Sequence, residues 1–83
     1  MTQAITDNLA LYTSAFIECF EITEEVAISL EYQSIDSWDS VGHMSLIALL
    51  EEKFNVMMDT DDIIDFSSFG KGKEILRKYD VEL

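Results

Sequence analysis

The 83-residue sequence has one cysteine, no proline and only five basic residues. A single cysteine excludes an internal disulfide and any metal site built from several cysteines. Because Cys19 lies in an apolar stretch beside Phe16 and Phe20, we expect a buried structural thiol rather than a nucleophile. No apolar run approaches the ~20 residues that a membrane-spanning helix needs, and no basic segment marks a secretory signal. We therefore expect a cytoplasmic protein without membrane insertion.

The charge balance is strongly acidic and uneven along the chain. Acidic residues outnumber basic ones by 17 to 5, for a net charge of −12. Residues 1–70 contain 14 acids and a single base, Lys53, whereas residues 71–83 contain four bases and three acids. Such a surface repels nucleic acid and anionic membranes and favours partners with basic patches. Solubility alone is an alternative reason for the charge.

The first half of the chain predicts one helix followed by a long connection. A single domain is expected over residues 1–83. Apolar spacing predicts a first helix from about Gln3 to Phe20 with Thr2 as its cap, and its buried face contains Ile5, Leu9, Tyr12, Phe16 and Cys19 or Phe20. The connection from Glu21 to Ser37 opens with a helical turn after Thr23. Val26, Ile28, Leu30 and Tyr32 then alternate as in a strand, but with no second strand to pair with they should anchor an extended loop.

Three further helices are predicted, at about Ser40–Asn55, Thr60–Phe66 and Ser68–Tyr79. The second helix should have a main apolar stripe made of Val41, Met44, Ile47, Ala48 and Phe54, which Leu46, Leu49 and Leu50 broaden nearly all the way round. It should end at Asn55 in a left-handed conformation. The fold class that follows is all-α: a small antiparallel four-helix bundle with a long loop between helices 1 and 2 and a short third helix.

Smaller features of the last third complete this picture. Asp59 to Asp62 form a cap and an acidic first turn, and they lack the glycine and glutamate of a calcium-binding EF-hand loop, so no metal site is expected. Gly70 and Gly72 each cost about 1 kcal/mol relative to alanine, which should make the first turn of the last helix its loosest part. We expect residues 80–83 to be frayed.

The junction Asp39-Ser40 places a polar pair directly before an apolar helical run. Asp39 can accept hydrogen bonds from the first turn, which puts the Ser40 hydroxyl at the start of the helix and outside the packed stripe. Ser40, Asp39 and His43 also suggest a hydrolase triad, but a triad needs an oxyanion hole and a cleft, and no glycine-rich elbow is present. We therefore expect no enzyme activity, no catalytic residue and an exposed His43.

Asp39-Ser40-Val41, followed by Met44, Leu46-Ile47-Ala48-Leu49-Leu50, Glu51-Glu52 and Phe54, resembles the Asp-Ser-Leu helix of acyl carrier proteins. The resemblance extends roughly from Ile5 to Tyr79 and is strongest between Tyr32 and Phe54. It implies that Ser40 carries covalent 4′-phosphopantetheine, whose thiol holds acyl or aminoacyl groups as thioesters. It also implies docking of partners through Asp39, Val41, Met44, Glu51 and Glu52.

The same resemblance implies a set of partner enzymes. A phosphopantetheinyl transferase would modify Ser40, a ligase would load an acyl or aminoacyl group, and an acyltransferase or synthase would receive it from a monomeric carrier. Gly42 and Ser45 stand where the best-known fatty-acid carriers have acids. Gly42-His43-Met44 looks more like carriers of dedicated pathways, such as aminoacyl transfer, cell-surface sugar acylation, and lipid or secondary-metabolite biosynthesis. The alternatives are a peptidyl- or D-alanyl-type carrier, or an acidic helical adaptor in which Ser40 is unmodified.

Overall fold

A computed structural model describes residues 7–83 of the chain. Within this range the named elements are all helices: α1 (Asn8–Phe20), α2 (Glu24–Ala27), α3 (Ser40–Phe54), α4 (Thr60–Asp65) and α5 (Phe69–Arg77). The predicted all-α class is confirmed. In residues 7–83, β pairing is limited to an isolated antiparallel bridge between Glu31 and Ser68. None of the helices described is long and apolar enough to cross a membrane.

Helix α1 begins later than predicted. Asp7 is its N-cap, and one oxygen of the Asp7 carboxylate accepts hydrogen bonds from the backbone N–H groups of Leu9 and Ala10 at 3.1 and 3.3 Å. A cap residue has an extended backbone, so the start predicted at Gln3 is wrong. The proposed cap Thr2 and the first stripe residue Ile5 lie outside the described residues.

The core is built around aromatic rings from four segments of the chain. Phe16 of α1 lies 5.6 Å from Trp38, 6.3 Å from Phe66 and 5.1 Å from Phe69, measured between ring centroids. Tyr12 is also buried, and its hydroxyl donates a 2.6 Å hydrogen bond to the carbonyl of Phe69. Burial raises the pKa of Tyr12 far above its usual range. Tyr12, Phe16 and Phe20 confirm the predicted face of α1, whereas Leu9 is exposed.

The connection between α1 and α3 is ordered by backbone contacts with the segment before α5. Leu30 is buried and its carbonyl accepts from the N–H of Phe69 at 2.9 Å, while the N–H of Tyr32 donates to the Ser67 carbonyl at 2.9 Å. The predicted turn after Thr23 is present as α2. Of the alternating residues expected to anchor this loop, Leu30 does so, but Val26 and Ile28 are exposed.

Helix α3 buries only part of the apolar surface predicted for it. Its buried side chains are Leu46, Ile47 and Leu50. Val41, Met44 and Ala48, which were expected in the packed stripe, are exposed, and Phe54 is half-buried. The leucine-rich run offers two apolar faces, and packing against α1 selects the one through Leu46 and Leu50.

A left-handed residue lies directly after α3, and another closes the turn that follows α5. Asn55, at φ 54°, ends α3 as predicted, and the next N–H, of Val56, donates to the Glu51 carbonyl at 3.1 Å. Asp80, at φ 66°, has the same role after α5, and the N–H of Val81 donates to Leu76 at 3.2 Å. This is the Schellman pattern. Val81 is buried, so the expectation that residues 80–83 are frayed is wrong.

A buried carboxylate joins α4 to the end of α5. Asp62 is 6% exposed and accepts hydrogen bonds from Lys78 Nζ and the Tyr79 hydroxyl, both at 2.5 Å. These bonds, that from Lys78 first, hold the pKa of Asp62 below its usual range. Asp59, the predicted cap of α4, makes no side-chain capping bond; its N–H donates to the Tyr79 hydroxyl at 2.9 Å instead.

Candidate functional site

Ser40 is the first residue of α3, and its side chain is exposed. The preceding residue, Asp39, is the N-cap, and its carboxylate accepts a 2.8 Å hydrogen bond from the N–H of Gly42. Asp39 therefore fixes the helix start, as predicted, with one oxygen committed to the backbone. A side chain at Gly42 would collide with the Ser37 carbonyl, so only glycine lets the preceding turn pass this close to α3.

Trp38 and His43 form a hydrogen-bonded pair under this junction. Trp38 is fully buried, and its Nε1–H donates to His43 Nδ1 at 3.0 Å. Because indole nitrogen only donates, His43 Nδ1 is the acceptor, and the proton of the neutral ring lies on Nε2. That nitrogen donates to the Ile63 carbonyl of α4 at 2.7 Å. His43 thus connects the loop, α3 and α4.

This arrangement differs from the exposed His43 expected from the sequence. His43 is half-buried, and its two ring nitrogens are both occupied. A general base for Ser40 needs a free acceptor nitrogen within hydrogen-bond reach of the hydroxyl. The triad suggested by Asp39, Ser40 and His43 is therefore not assembled. No group of three or more His, Cys, Asp or Glu side chains within residues 7–83 could hold a metal ion.

Tyr32 approaches Ser40 from the connection before α3. Its hydroxyl lies 3.4 Å from Ser40 Oγ. The ring stands edge-on to Trp38 and His43, at centroid distances of 6.1 and 5.6 Å. The sequence placed Tyr32 only among loop anchors, because the contact spans eight residues of irregular backbone that no local pattern specifies.

A surface cavity of about 330 Å³ opens beside Ser40, between α3 and α4. Its lining is mostly apolar and contains no carboxylate or ammonium group; the residues are Tyr32, Ser40, His43, Met44, Ile63, Ile64, Phe66 and Ser67. Sequence reasoning missed this cavity, because it depends on how α4 is placed against α3. Asp62 is buried whereas Ile64 is 71% exposed, so the apolar pattern of α4 does not predict which of its sides faces α3.

The residues expected to dock partners are exposed to different degrees. Val41 is 75% and Met44 52% exposed, so two apolar side chains flank Ser40 on the outer face of α3. Asp39 and Glu52 are also exposed. Glu51 is half-buried and accepts a 2.9 Å hydrogen bond from the N–H of Met58, so it is less accessible to a partner than Glu52. Its role in docking stays a prediction.

Cys19 lies on the side of α1 that faces the first turn of α3. It is half-buried, and its thiol donates to the Gly42 carbonyl at 3.8 Å. Burial, and to a lesser degree the neighbouring Glu18 carboxylate, raises the pKa of the Cys19 thiol. A raised pKa disfavours the thiolate, in agreement with the structural role expected for this residue.

We compared the chain with known proteins by sequence family, by curated sequence and by solved structure, and no match was found.

Proposed function

We propose that this protein is an acyl carrier whose Ser40 is esterified by 4′-phosphopantetheine. The observation that carries the proposal is the Ser40 hydroxyl itself. It is exposed at the first position of a 15-residue helix, beside an apolar cavity, and is followed by two exposed apolar side chains, Val41 and Met44. A tether attached there has free access to solvent and to the cavity, and a partner enzyme can reach the oxygen without unfolding the chain.

The proposed modification is a group transfer from coenzyme A in the presence of Mg²⁺. The Ser40 oxygen loses its proton and forms a bond to the phosphorus of phosphopantetheine, and the remaining nucleotide part of coenzyme A leaves. The partner transferase supplies the base and the metal ion. The bound group would supply a thiol on a flexible arm. The chain supplies a fixed anchor, since Asp39 and Trp38 hold the helix start in place.

We further propose that the carrier arrangement is an antiparallel four-helix bundle. Helices α1, α3, α4 and α5 would be its four members, with α2 a turn within the long connection. The shared core supports this arrangement, because α1, α3 and α5 each contribute fully or nearly fully buried residues to one cluster, with Phe66 added from the end of α4.

The cavity favours an apolar acyl cargo over an aminoacyl one. A D-alanyl or other aminoacyl thioester carries an ammonium group, which is stabilised by a carboxylate partner. The lining of the cavity includes none. We therefore propose that a ligase loads an apolar acid onto the thiol, and that an acyltransferase or synthase of lipid or secondary-metabolite biosynthesis receives it.

The acidic surface supports short encounters with these enzymes. The exposed acids Asp39 and Glu52 lie at the two ends of α3, and Val41 and Met44 lie between them on exposed positions. Charge accelerates association with a basic patch, and a small apolar contact lets the complex dissociate quickly.

Intact-mass spectrometry tests this proposal. The protein is incubated with coenzyme A, Mg²⁺ and a transferase of broad specificity. The mass should rise by one phosphopantetheine. Ser40→Ala should abolish the rise, and Ser45→Ala, a matched change at another exposed serine of α3, should leave it intact. An unchanged mass of the wild-type protein would contradict the proposal and favour an unmodified acidic adaptor.

A further inference from the structure

We infer that Tyr32 is a positioning residue for Ser40: its hydroxyl contacts the oxygen that is modified and holds it for transfer. This inference depends on the proposed function and adds a residue to the same site. The geometry behind it is the 3.4 Å separation of the two hydroxyl oxygens. In the described residues 7–83, the Tyr32 hydroxyl forms its hydrogen bond with Ser40 Oγ.

The Tyr32 hydroxyl is fixed in space by a supported ring. The Tyr32 N–H donates to the Ser67 carbonyl at 2.9 Å, which fixes the backbone. The ring then rests edge-on against Trp38 and His43. Trp38 is fully buried, and the ring nitrogens of His43 are both hydrogen-bonded. A side chain supported in this way keeps its hydroxyl oriented with little conformational freedom to lose.

The contact itself contributes little to folding. It joins two exposed residues at a distance near the long limit for a hydroxyl pair. Exposed hydrogen bonds exchange readily with water and add little net stability. The structural reason for Tyr32 is its ring, which phenylalanine would reproduce. The hydroxyl is the part of the residue that folding does not need.

The Tyr32 hydroxyl can act as a hydrogen-bond donor once Ser40 is modified. An esterified Ser40 oxygen has no proton, so in the phosphodiester only the phenol can donate. The new group is anionic and lies beside the Asp39 carboxylate. Lys53 is the only lysine or arginine on α3; it lies about 20 Å along the helix and is paired with Glu18 at 3.4 Å. The Tyr32 hydroxyl can therefore donate a hydrogen bond to the negatively charged phosphodiester, at a position that no lysine or arginine of α3 reaches.

The test compares Tyr32→Phe with the wild-type protein as substrates of the transferase. Tyr79→Phe is the matched control. It also removes one tyrosine hydroxyl, but from a half-buried residue whose hydroxyl contacts Asp62 and not Ser40. We expect Tyr32→Phe to lower kcat for modification at least threefold while KM changes less than twofold, because orientation of the oxygen acts in the transition state. Tyr79→Phe should leave both constants unchanged.

Phosphorus NMR of the modified protein is a second measurement, because it reports on the surroundings of the phosphodiester and not on the general stability of the fold. The ³¹P chemical shift of the phosphodiester should change in Tyr32→Phe and not in Tyr79→Phe. A thermal melt verifies that Tyr32→Phe retains wild-type stability.

The outcomes separate this inference from the function on which it depends. A wild-type protein that gains no mass overturns both. A wild-type protein that is modified, with Tyr32→Phe modified at the same kcat, overturns the inference alone, whatever the phosphorus signal. An equal loss in Tyr79→Phe also overturns it, since the effect would then arise from structure in general.

Discussion

The two glycines of α5 should respond in opposite directions to the same substitution. By helix propensity alone, alanine at either Gly70 or Gly72 should stabilise the protein by about 1 kcal/mol. Their surroundings differ. Gly70 is exposed, and an added Cβ meets no atom within 4 Å. Gly72 is buried, and an added Cβ collides with the ring of Phe66 and the hydroxyl of Tyr12.

The magnitude for Gly72→Ala follows from these contacts. Inserting a methyl into a packed core costs about 1–3 kcal/mol. The upper part of this range applies, because displacing the Tyr12 hydroxyl also strains its bond to the Phe69 carbonyl. Subtracting the gain in helix propensity of about 1 kcal/mol leaves a net loss of about 2 kcal/mol. For a domain of this size that loss lowers Tm by about 8–16 °C.

Gly70→Ala is the matched control, expected to raise stability by about 0.4–1 kcal/mol. Urea unfolding of the wild-type protein and both variants, followed by far-ultraviolet circular dichroism, measures the differences at constant slope. The reasoning is refuted if Gly72→Ala is as stable as the wild-type protein, or if the two variants shift in the same direction.

Three further predictions concern the site and its supports. His43→Ala leaves the buried Trp38 indole N–H without a partner and should cost about 1–3 kcal/mol in denaturant unfolding; a loss below 0.5 kcal/mol would mean that this bond has no structural role. The lowered pKa of Asp62 adds stability that is complete above about pH 4 and is lost as the pH falls through the folded-state value. Asp62→Asn should therefore flatten the acid limb of the stability–pH curve, and an unchanged limb would contradict this. Met44→Ala should change stability by less than about 0.5 kcal/mol yet slow loading by the ligase, whereas equal loading rates would exclude Met44 from the docking face.

The sequence predicts the starts of α3 and α5 and the end of α3, because caps are local, but it does not identify Asp7 as the cap of α1. Asp39 and Ser68 accept bonds from backbone N–H groups three residues ahead, and Asn55 takes the left-handed conformation. Each of these positions is specified by side-chain chemistry within one turn. The same reasoning placed the exposed serine at the start of α3.

Which face of a helix is buried, and which side chains surround Ser40, depend on residues that are distant in the sequence. A local sequence pattern therefore predicts these features less well. The apolar residues of α3 permit a stripe through Val41 and Met44 as well as one through Leu46 and Leu50, and contact with α1 chooses the second. His43 and Tyr32 have their roles only because Trp38 and Ile63 come within reach. These contacts join segments that are separated along the chain, so the spacing of apolar residues does not predict them.

The central claim is that one particular hydroxyl carries the cargo arm. Fragment-ion mass spectrometry of the wild-type protein after incubation with coenzyme A and transferase tests it most directly, because three other serines lie close by in sequence, at positions 34, 37 and 45. We expect the added phosphopantetheine on Ser40 alone. Attachment to any of the other three, or a peptide that gains no mass, would contradict it.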